Sequence, residues 1–248
     1  MNHSFITRSA SFSNKGNVRD VNEDSCLDLS EQRLWVVADG MGGHSAGDVA
    51  SGLIVGTLRN FIASEDPGVL VDNLEDALLR VNQVLYDKSM EGETAKIIGS
   101  TVACWLWFGC YGLAAWAGDS RVYRLRDGVM KCMMRDHSEV EDLVQQGKLS
   151  REDAEKHPEA NVINRAIGGD AELHLDFTLH EVKNDDRILI CSDGLYKDLS
   201  EAEIASFLQP GDPQDACDEL KLQALQRECA DNVTAIVIDF LAASHLSN

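Results

Sequence analysis

The sequence predicts an α+β fold: a four-layer αββα sandwich in which two antiparallel β-sheets pack face to face and a helix pair covers each outer side. Two features of the 248-residue chain predict this arrangement. Short runs rich in β-branched and aromatic residues follow one another through tight turns, which indicates antiparallel hairpins and not alternating βαβ units. Four longer segments form two groups that read as helices, and those of the first group have the apolar spacing of amphipathic helices.

Ten segments are predicted as strands because they are short, apolar and bounded by turn residues. The sequence Arg126-Asp127-Gly128 separates two of them and is typical of a hairpin turn, and Gly109 separates two others. The predicted strands span residues 4–12, 24–29, 33–38, 100–108, 110–117, 121–126, 129–134, 173–180, 187–192 and 233–240.

Two helix pairs are predicted, at residues 46–63 with 70–89 and at 200–208 with 213–229. Ser45 and Asp48 resemble a capping box at the start of the first helix. The apolar residues that share one face are Val49, Leu53, Ile54, Leu58 and Phe61 in the first helix, and Leu70, Leu74, Ala77, Leu78, Val81 and Leu85 in the second.

A small helical insert at residues 138–168 separates two groups of strands. Three short helices are predicted in it: E-V-E-D-L-V-Q-Q-G, then S-R-E-D-A-E-K with Ser150 and Asp153 at its start, then N-V-I-N-R-A-I-G-G. Its position in the sequence is also consistent with a helical decoration on the surface. Because no internal repeat or low-complexity linker occurs, residues 1–248 are predicted to form a single domain.

The chain is strongly acidic, with 42 Asp and Glu against 22 Lys and Arg and a net charge of −20. Such a charge makes nucleic acid and anionic membranes poor partners. The acidic composition has two possible explanations: it keeps the protein soluble, or some of the acids are gathered to bind a cation. The composition alone does not decide between them. No apolar run approaches the roughly 20 residues that cross a bilayer, and the N-terminus lacks the apolar core of a secretory signal.

Seven cysteines occur, an odd number, and no two form a C-x-x-C pair. This pattern favours a reducing compartment with buried free thiols over a disulfide framework or a zinc site. A cytoplasmic location is therefore expected.

Five segments place acids where a predicted core strand begins or ends. Each acid alone is explained as a turn residue that hydrogen-bonds its own backbone. However, the ends of different strands converge on one rim of a sandwich, and carboxylates crowded there repel one another unless a cation lies between them. The acids are Glu23 and Asp24 where the chain enters a strand, Asp39, Asp119 and Asp193 after strands, and Asp231 before the last strand.

The type of ligand indicates the metal. Carboxylates, a backbone carbonyl and water are hard oxygen ligands, which suit Mg²⁺ or Mn²⁺. Because four or five carboxylates are too many for one Mg²⁺, two ions about 3.5–4 Å apart, bridged by a carboxylate and a water, would use them better. A bridging water loses its proton near neutral pH, and this arrangement serves in-line displacement at phosphorus.

One basic residue, Arg19, lies four positions before Glu23. A guanidinium matches two phosphoryl oxygens with a planar fork, which a lysine cannot do. A salt bridge to Glu23 or Asp24 explains the spacing equally well.

Seven motifs, in order along residues 10–240, resemble those of the metal-dependent Ser/Thr protein phosphatases of type 2C, the PPM family, in its compact bacterial form. One such motif is weak evidence, whereas seven in the family's order are specific. The motifs are G-N-V-R-D-V-N-E-D-S, V-A-D-G-M-G-G-H-S-A-G, G-S-T, A-G-D-S-R-V-Y, R-D-H-S, I-L-I-C-S-D-G-L and D-N-V-T-A-I-V.

The resemblance implies a sandwich with a centre of two Mn²⁺ or Mg²⁺ ions at one rim, and phosphoserine or phosphothreonine hydrolysis by direct attack of a metal-bridged hydroxide. It implies phosphoprotein substrates and a eukaryotic-like Ser/Thr kinase that the enzyme opposes; a monomer is expected. The implied roles are Asp39 as bridging ligand, the Gly40 carbonyl, Asp193 and Asp231 as further ligands, Glu23 and Asp24 at the second ion, Asp119 with Asp193 at a weaker third ion, and Arg19 as the phosphate-binding residue.

The same resemblance identifies the insert 138–168 as a mobile flap beside the active site. It also implies that the glycines after Asp39 let the backbone pass close to a cation. Met41 stands where eukaryotic members carry a histidine proposed as general acid, so leaving-group protonation is left to metal-bound water. His44 is interpreted as structural.

Two other classes of function were weighed. A pseudophosphatase, which binds phosphoprotein without cleaving it, usually lacks metal-binding acids, and here all are present. A plain Ca²⁺-binding protein is disfavoured because no D-x-[DN]-x-[DN]-G loop occurs.

Overall fold

The chain folds into two antiparallel β-sheets that pack face to face. A computed structural model describes residues 5–42, 46–91, 97–154, 156–209 and 211–243. The strands are β1 (Phe5–Asn14), β2 (Asp24–Leu29), β3 (Leu34–Gly42), β4 (Ile98–Ser100), β5 (Val102–Phe108), β6 (Tyr111–Ala117), β7 (Arg121–Arg126), β8 (Val129–Cys132), β9 (Asp176–Glu181), β10 (Asp186–Cys191) and β11 (Val233–Ala242).

One sheet has the strand order β1-β11-β10-β7-β8, and the other has the order β2-β3-β5-β6-β9, with β4 paired to β3. Every strand pair is antiparallel. The layer between the sheets is filled by fully buried aromatic and aliphatic side chains, among them Trp35, Trp105 and Phe240. These residues alternate along their strands with residues that face the helices, as the period of a strand requires.

Helices cover both outer faces, so the predicted four-layer α+β sandwich is confirmed. The helices α1 (Ala46–Leu58) and α2 (Pro67–Ser89) pack on the β2–β9 sheet. The helices α6 (Glu201–Phe207) and α7 (Pro213–Gln226) pack on the other sheet. Three further helices are α3 (Glu139–Gln145), α4 (Arg151–Ala154) and α5 (Asp193–Tyr196), and a 3-10 turn spans Ser30–Gln32.

The first helix pair differs from the prediction at its ends and on one face. The helix α1 ends at Leu58, yet Phe61 still packs into the core from the following loop. Val49 is 42% exposed, because α1 turns the neighbouring Ala50 to the sheet instead. The predicted apolar face of α2 is buried throughout. That helix begins earlier than predicted, at Pro67, where the Asp66 carboxylate accepts the N–H of Gly68 at 2.8 Å.

Two of the three predicted helices of the insert form, and the third does not. Ser138 caps α3 and Ser150 caps α4, each through its hydroxyl group. The segment N-V-I-N-R-A-I-G-G is not helical, because Ile167 exchanges two backbone hydrogen bonds with Ser100, at 3.0 and 2.9 Å. Gly168, at φ +85°, then turns the chain out of this bridge.

The structure also divides the predicted strand 100–108 into β4 and β5. The break lies at Thr101, whose N–H donates to the Asp39 carbonyl at 2.8 Å. The short helix α5 was not predicted. Ser45 and His44 lie outside the described residues, so their predicted roles stay predictions. In the described part of the chain, no helix has the length and apolar character of a membrane span.

Candidate active site

Of the six acids predicted to meet, all but Asp24 line one cleft, at the rim where strands of both sheets begin or end. Asp39 was predicted to follow a strand but lies within β3, because that strand continues to Gly42 and pairs there with β4. The cleft has a volume of about 500 Å³. Asp24 is not in the lining, but it is the strand partner of Asp39, which is. Asn161 and Ile163 of the insert also line the cleft, and so does Met41. The predicted site residues in the lining are Arg19, Glu23, Asp39, Gly40, Asp119, Asp193 and Asp231.

Asp24 and Asp39 lie opposite each other on β2 and β3. The Ser192 hydroxyl donates to Asp24 Oδ2 at 2.7 Å, whereas Asp24 Oδ1 is buried without a hydrogen-bond partner. Burial raises the pKa of Asp24 to about 7. Asp39 retains some exposure to the cleft, yet burial, then the charge of Asp24 and then that of Asp193 raise its pKa well above the usual range. The pair therefore resists full ionisation.

Asp119 and Asp193 form a second acidic pair on the other side of the cleft. Asp119 lies in the turn between β6 and β7, and Asp193 is the first residue of α5. Burial, followed by the charge of Asp193, raises the pKa of Asp119 to about 7. One carboxylate oxygen of Asp193, Oδ1, is buried without a partner.

Lys197 is a site residue that the sequence analysis missed. Its ammonium forms an ion pair with Asp193 Oδ2, and it lines the cleft. Burial lowers the pKa of Lys197, but the charges of Asp193, Asp119 and Asp39 outweigh this effect, so that the pKa is raised. The available signal was the spacing of four residues between Asp193 and Lys197, which becomes a side-chain contact only on a helix.

Arg19 is held by Asp231, and the sequence-based alternative of a salt bridge to Glu23 or Asp24 named the wrong partner. Its Nε and Nη2 atoms donate to the two carboxylate oxygens of Asp231 at 2.9 and 2.8 Å. The Arg19 side chain is 54% exposed. Its planar fork therefore points into the cleft and engages an oxyanion group, which here is a carboxylate.

Glu23 joins the cleft to the first helix. Its Oε1 atom accepts the N–H of Gly47, in the first turn of α1, at 3.2 Å. Its backbone carbonyl accepts the N–H of Gly40 at 3.1 Å. A Cβ atom on Gly40 would lie 2.0 Å from the Gly47 carbonyl oxygen. Close packing of β3 against α1 therefore gives a physical reason for Gly40 besides the predicted approach to a cation.

The residues of the cleft fit divalent cations that prefer oxygen ligands. In the ranges that the structure describes, no three acidic, His or Cys side chains are arranged to hold an ion as they stand. Arg19 forms an ion pair with Asp231, and Lys197 forms one with Asp193. These two pairs compensate part of the negative charge of the cleft. The unpartnered oxygens of Asp24 and Asp193 and the raised carboxyl pKa values indicate negative charge that remains uncompensated. Hard cations such as Mg²⁺ and Mn²⁺ match this set of donors.

Comparison with known proteins identifies the class. The sequence model of protein phosphatase 2C matches residues 17–225. The solved structure of PppA, a key regulatory component of T6SS in Pseudomonas aeruginosa, superposes with a TM-score of 0.88 at 40% identity, over 95% of this chain and 98% of that one. The catalytic domain of PstP in complex with 2 manganese ions superposes with a TM-score of 0.86 at 34% identity, over 96% of this chain and 100% of that one.

The chain belongs to the protein phosphatase 2C family, as its motifs indicated. It is 36% identical to the Ser/Thr protein phosphatase PstP of Mycobacterium tuberculosis over 94% of its own length. It spans 45% of the length of that curated relative.

Proposed function

We propose that the chain is a Mg²⁺- or Mn²⁺-dependent protein phosphatase that hydrolyses phosphoserine and phosphothreonine. The observation that carries the proposal is the convergence of six carboxylates, from five separate segments, around one cleft in a chain of the protein phosphatase 2C family. The raised pKa values of Asp24, Asp39 and Asp119 support a cation site and not a merely soluble surface. The unpartnered oxygens of Asp24 and Asp193 support the same conclusion.

Each residue has a role in this proposal. Divalent ions, when bound, supply Lewis acidity and a water that is activated near neutral pH. The chain itself positions them and the phosphoryl group. Arg19 neutralises equatorial phosphoryl oxygens after its guanidinium leaves Asp231. The proposed ligands are Asp39, the Gly40 carbonyl, Asp193 and Asp231 at one ion, and Glu23 and Asp24 at the other. Asp119 lies with Asp193 on the remaining side of the cleft, where the resemblance to the family implies a weaker third ion.

The setting of the enzyme is also a proposal. We infer a single-domain, monomeric enzyme that acts on phosphoproteins in the cytoplasm and opposes a Ser/Thr kinase, with residues 138–168 as a flap that controls access. All seven cysteines are free, which supports a reducing compartment; four are buried and three are half-buried. The net charge of −20 argues against nucleic acid and anionic membrane as partners.

The test is the turnover of a phosphopeptide and of an aryl phosphate by the wild type, Asp39→Asn and Asp193→Asn at saturating Mn²⁺. We expect both variants to lose at least about a hundredfold in kcat while they stay folded by circular dichroism. Asp72→Asn, on the exposed face of α2, is the matched control and should retain full activity. Near-wild-type turnover by either site variant rejects the assignment of the site. A wild type that binds Mn²⁺ without turnover would establish a pseudophosphatase instead.

A further inference from the structure

Lys197 is fixed in the cleft by the short helix that also carries Asp193. The helix α5 begins at Asp193 and ends at Tyr196, which places Lys197 one turn after the carboxylate that it contacts. The Tyr196 hydroxyl donates to the Asp119 backbone carbonyl at 2.9 Å. The Arg121 guanidinium lies 3.8 Å from the centre of the Tyr196 ring and covers it. The helix is thereby attached to the turn that carries Asp119.

The ion pair uses only one oxygen of Asp193. Lys197 contacts Oδ2, and Oδ1 is buried and unpartnered. Asp193 is 13% exposed and Lys197 is 35% exposed, so water screens this pair less than it screens a surface pair. The same ammonium lines the cleft together with Asp119 and Asp39. A permanent cation therefore lies among the carboxylates on this side of the cleft.

The charges of the site balance without a third ion. The six proposed ligand carboxylates carry six negative charges, and Arg19 and Lys197 supply two positive ones. The four negative charges left equal the charge of two divalent ions. Asp198 also lines the cleft but is not one of the proposed ligands, and burial raises its pKa.

We propose that Lys197 occupies, as a built-in cation, the Asp119–Asp193 side of the cleft, and that it limits the chain to two divalent ions. This inference rests on the proposed function, because it concerns the same metal-dependent site. An ordinary ion pair between residues four apart on a helix would leave metal binding unchanged, so the two interpretations differ in a measurable way.

The test counts bound ions and does not rely on turnover. Purified full-length wild type, Lys197→Met and Lys197→Arg are dialysed to equilibrium against increasing Mn²⁺, and the protein-bound manganese is measured. Methionine keeps a long side chain without the charge, and arginine restores the charge. Lys88→Met, on the exposed face of α2, controls for the loss of one positive charge elsewhere.

We expect two Mn²⁺ per chain for the wild type, Lys197→Arg and Lys88→Met, and three for Lys197→Met. Lys197→Met removes a positive charge a few ångströms from the ions. It should therefore also lower the Kd of the more weakly bound of the first two Mn²⁺ ions about tenfold. If Lys197→Met binds only two ions, or if the wild type binds three, the proposal is wrong. Lys197→Gln provides a second neutral variant if Lys197→Met fails to fold. A wild type that binds no Mn²⁺ would reject the proposed function itself.

Discussion

Asp24 and Asp39 are direct partners across the β2–β3 strand pair, so two acidic residues lie opposite each other beside the cleft that Asp39 lines. Like charges in this position destabilise a sheet. The surrounding sandwich holds them in place, because each strand continues into buried residues, Leu27 on β2 and Trp35 and Val36 on β3. The fold therefore maintains an unfavourable arrangement of charge that a cation can relieve.

The first prediction concerns pH and metal removal. The folded-state pKa of Asp24, about 7, lies above the value of about 4 for an unfolded carboxyl, so the folded protein retains protons that the unfolded chain has released. The free energy of unfolding of the metal-free protein should therefore fall as the pH rises from about 4 to about 7. Urea unfolding in EDTA at pH 5 and pH 8 measures this decrease in the free energy of unfolding. Saturating Mn²⁺ at pH 8 should reverse the decrease. A metal-free protein that becomes more stable over this range would contradict the prediction.

The second prediction isolates Asp24. Asp24→Asn removes the repulsion with Asp39 and retains an oxygen that can accept the Ser192 hydroxyl. In EDTA at pH 8 the variant should be more stable than the wild type by about 1 kcal/mol, and its stability should depend less on pH. Its stabilisation by Mn²⁺ should be smaller, because a proposed ligand is lost. Urea midpoints with and without Mn²⁺ test both effects, and a variant that is less stable in EDTA rejects the explanation.

The third prediction concerns Arg19, whose guanidinium binds both carboxylate oxygens of Asp231. Arg19→Ala should lower kcat/KM for a phosphopeptide about 10- to 100-fold, because a charged bidentate contact is lost. The same variant should bind Mn²⁺ more tightly in the absence of phosphate, because Asp231 no longer has a competing partner.

Steady-state kinetics and Mn²⁺ dialysis measure these two opposite effects of Arg19→Ala. Arg59→Ala, an exposed arginine just after α1, is the control and should change neither quantity. Weaker Mn²⁺ binding by Arg19→Ala would show that the ion pair does not compete with metal.

The fourth prediction concerns the glycine after Asp39. Gly40→Ala should lower the free energy of unfolding by about 3 kcal/mol, since its Cβ atom would overlap the Gly47 carbonyl oxygen. Gly52→Ala, in α1, has open space around the new Cβ atom and should raise stability by about 0.5–1 kcal/mol. Urea unfolding of both variants separates steric overlap from the general cost of replacing glycine. Equal stabilities would refute the packing explanation.

The sequence by itself determined the two-sheet architecture, most strand positions and the set of acids in the cleft. These features depend on local patterns: a period of two in strands, spacings of three and four in helices, and acids placed at strand ends. Local patterns did not predict the secondary structure correctly where a segment distant in sequence supplied the hydrogen-bond partners. Ile167 pairs with Ser100, and residues that were predicted as a helix become an extended bridge.

Only the tertiary structure decided the partners within the site. Arg19 meets Asp231 across 212 positions of sequence, and the pairing of Asp24 with Asp39 depends on the register of two strands. Lys197 enters the cleft because a single helical turn directs it back to Asp193. Composition and spacing identify which charges are present. The distances between those charges follow from long-range packing, which no local pattern encodes.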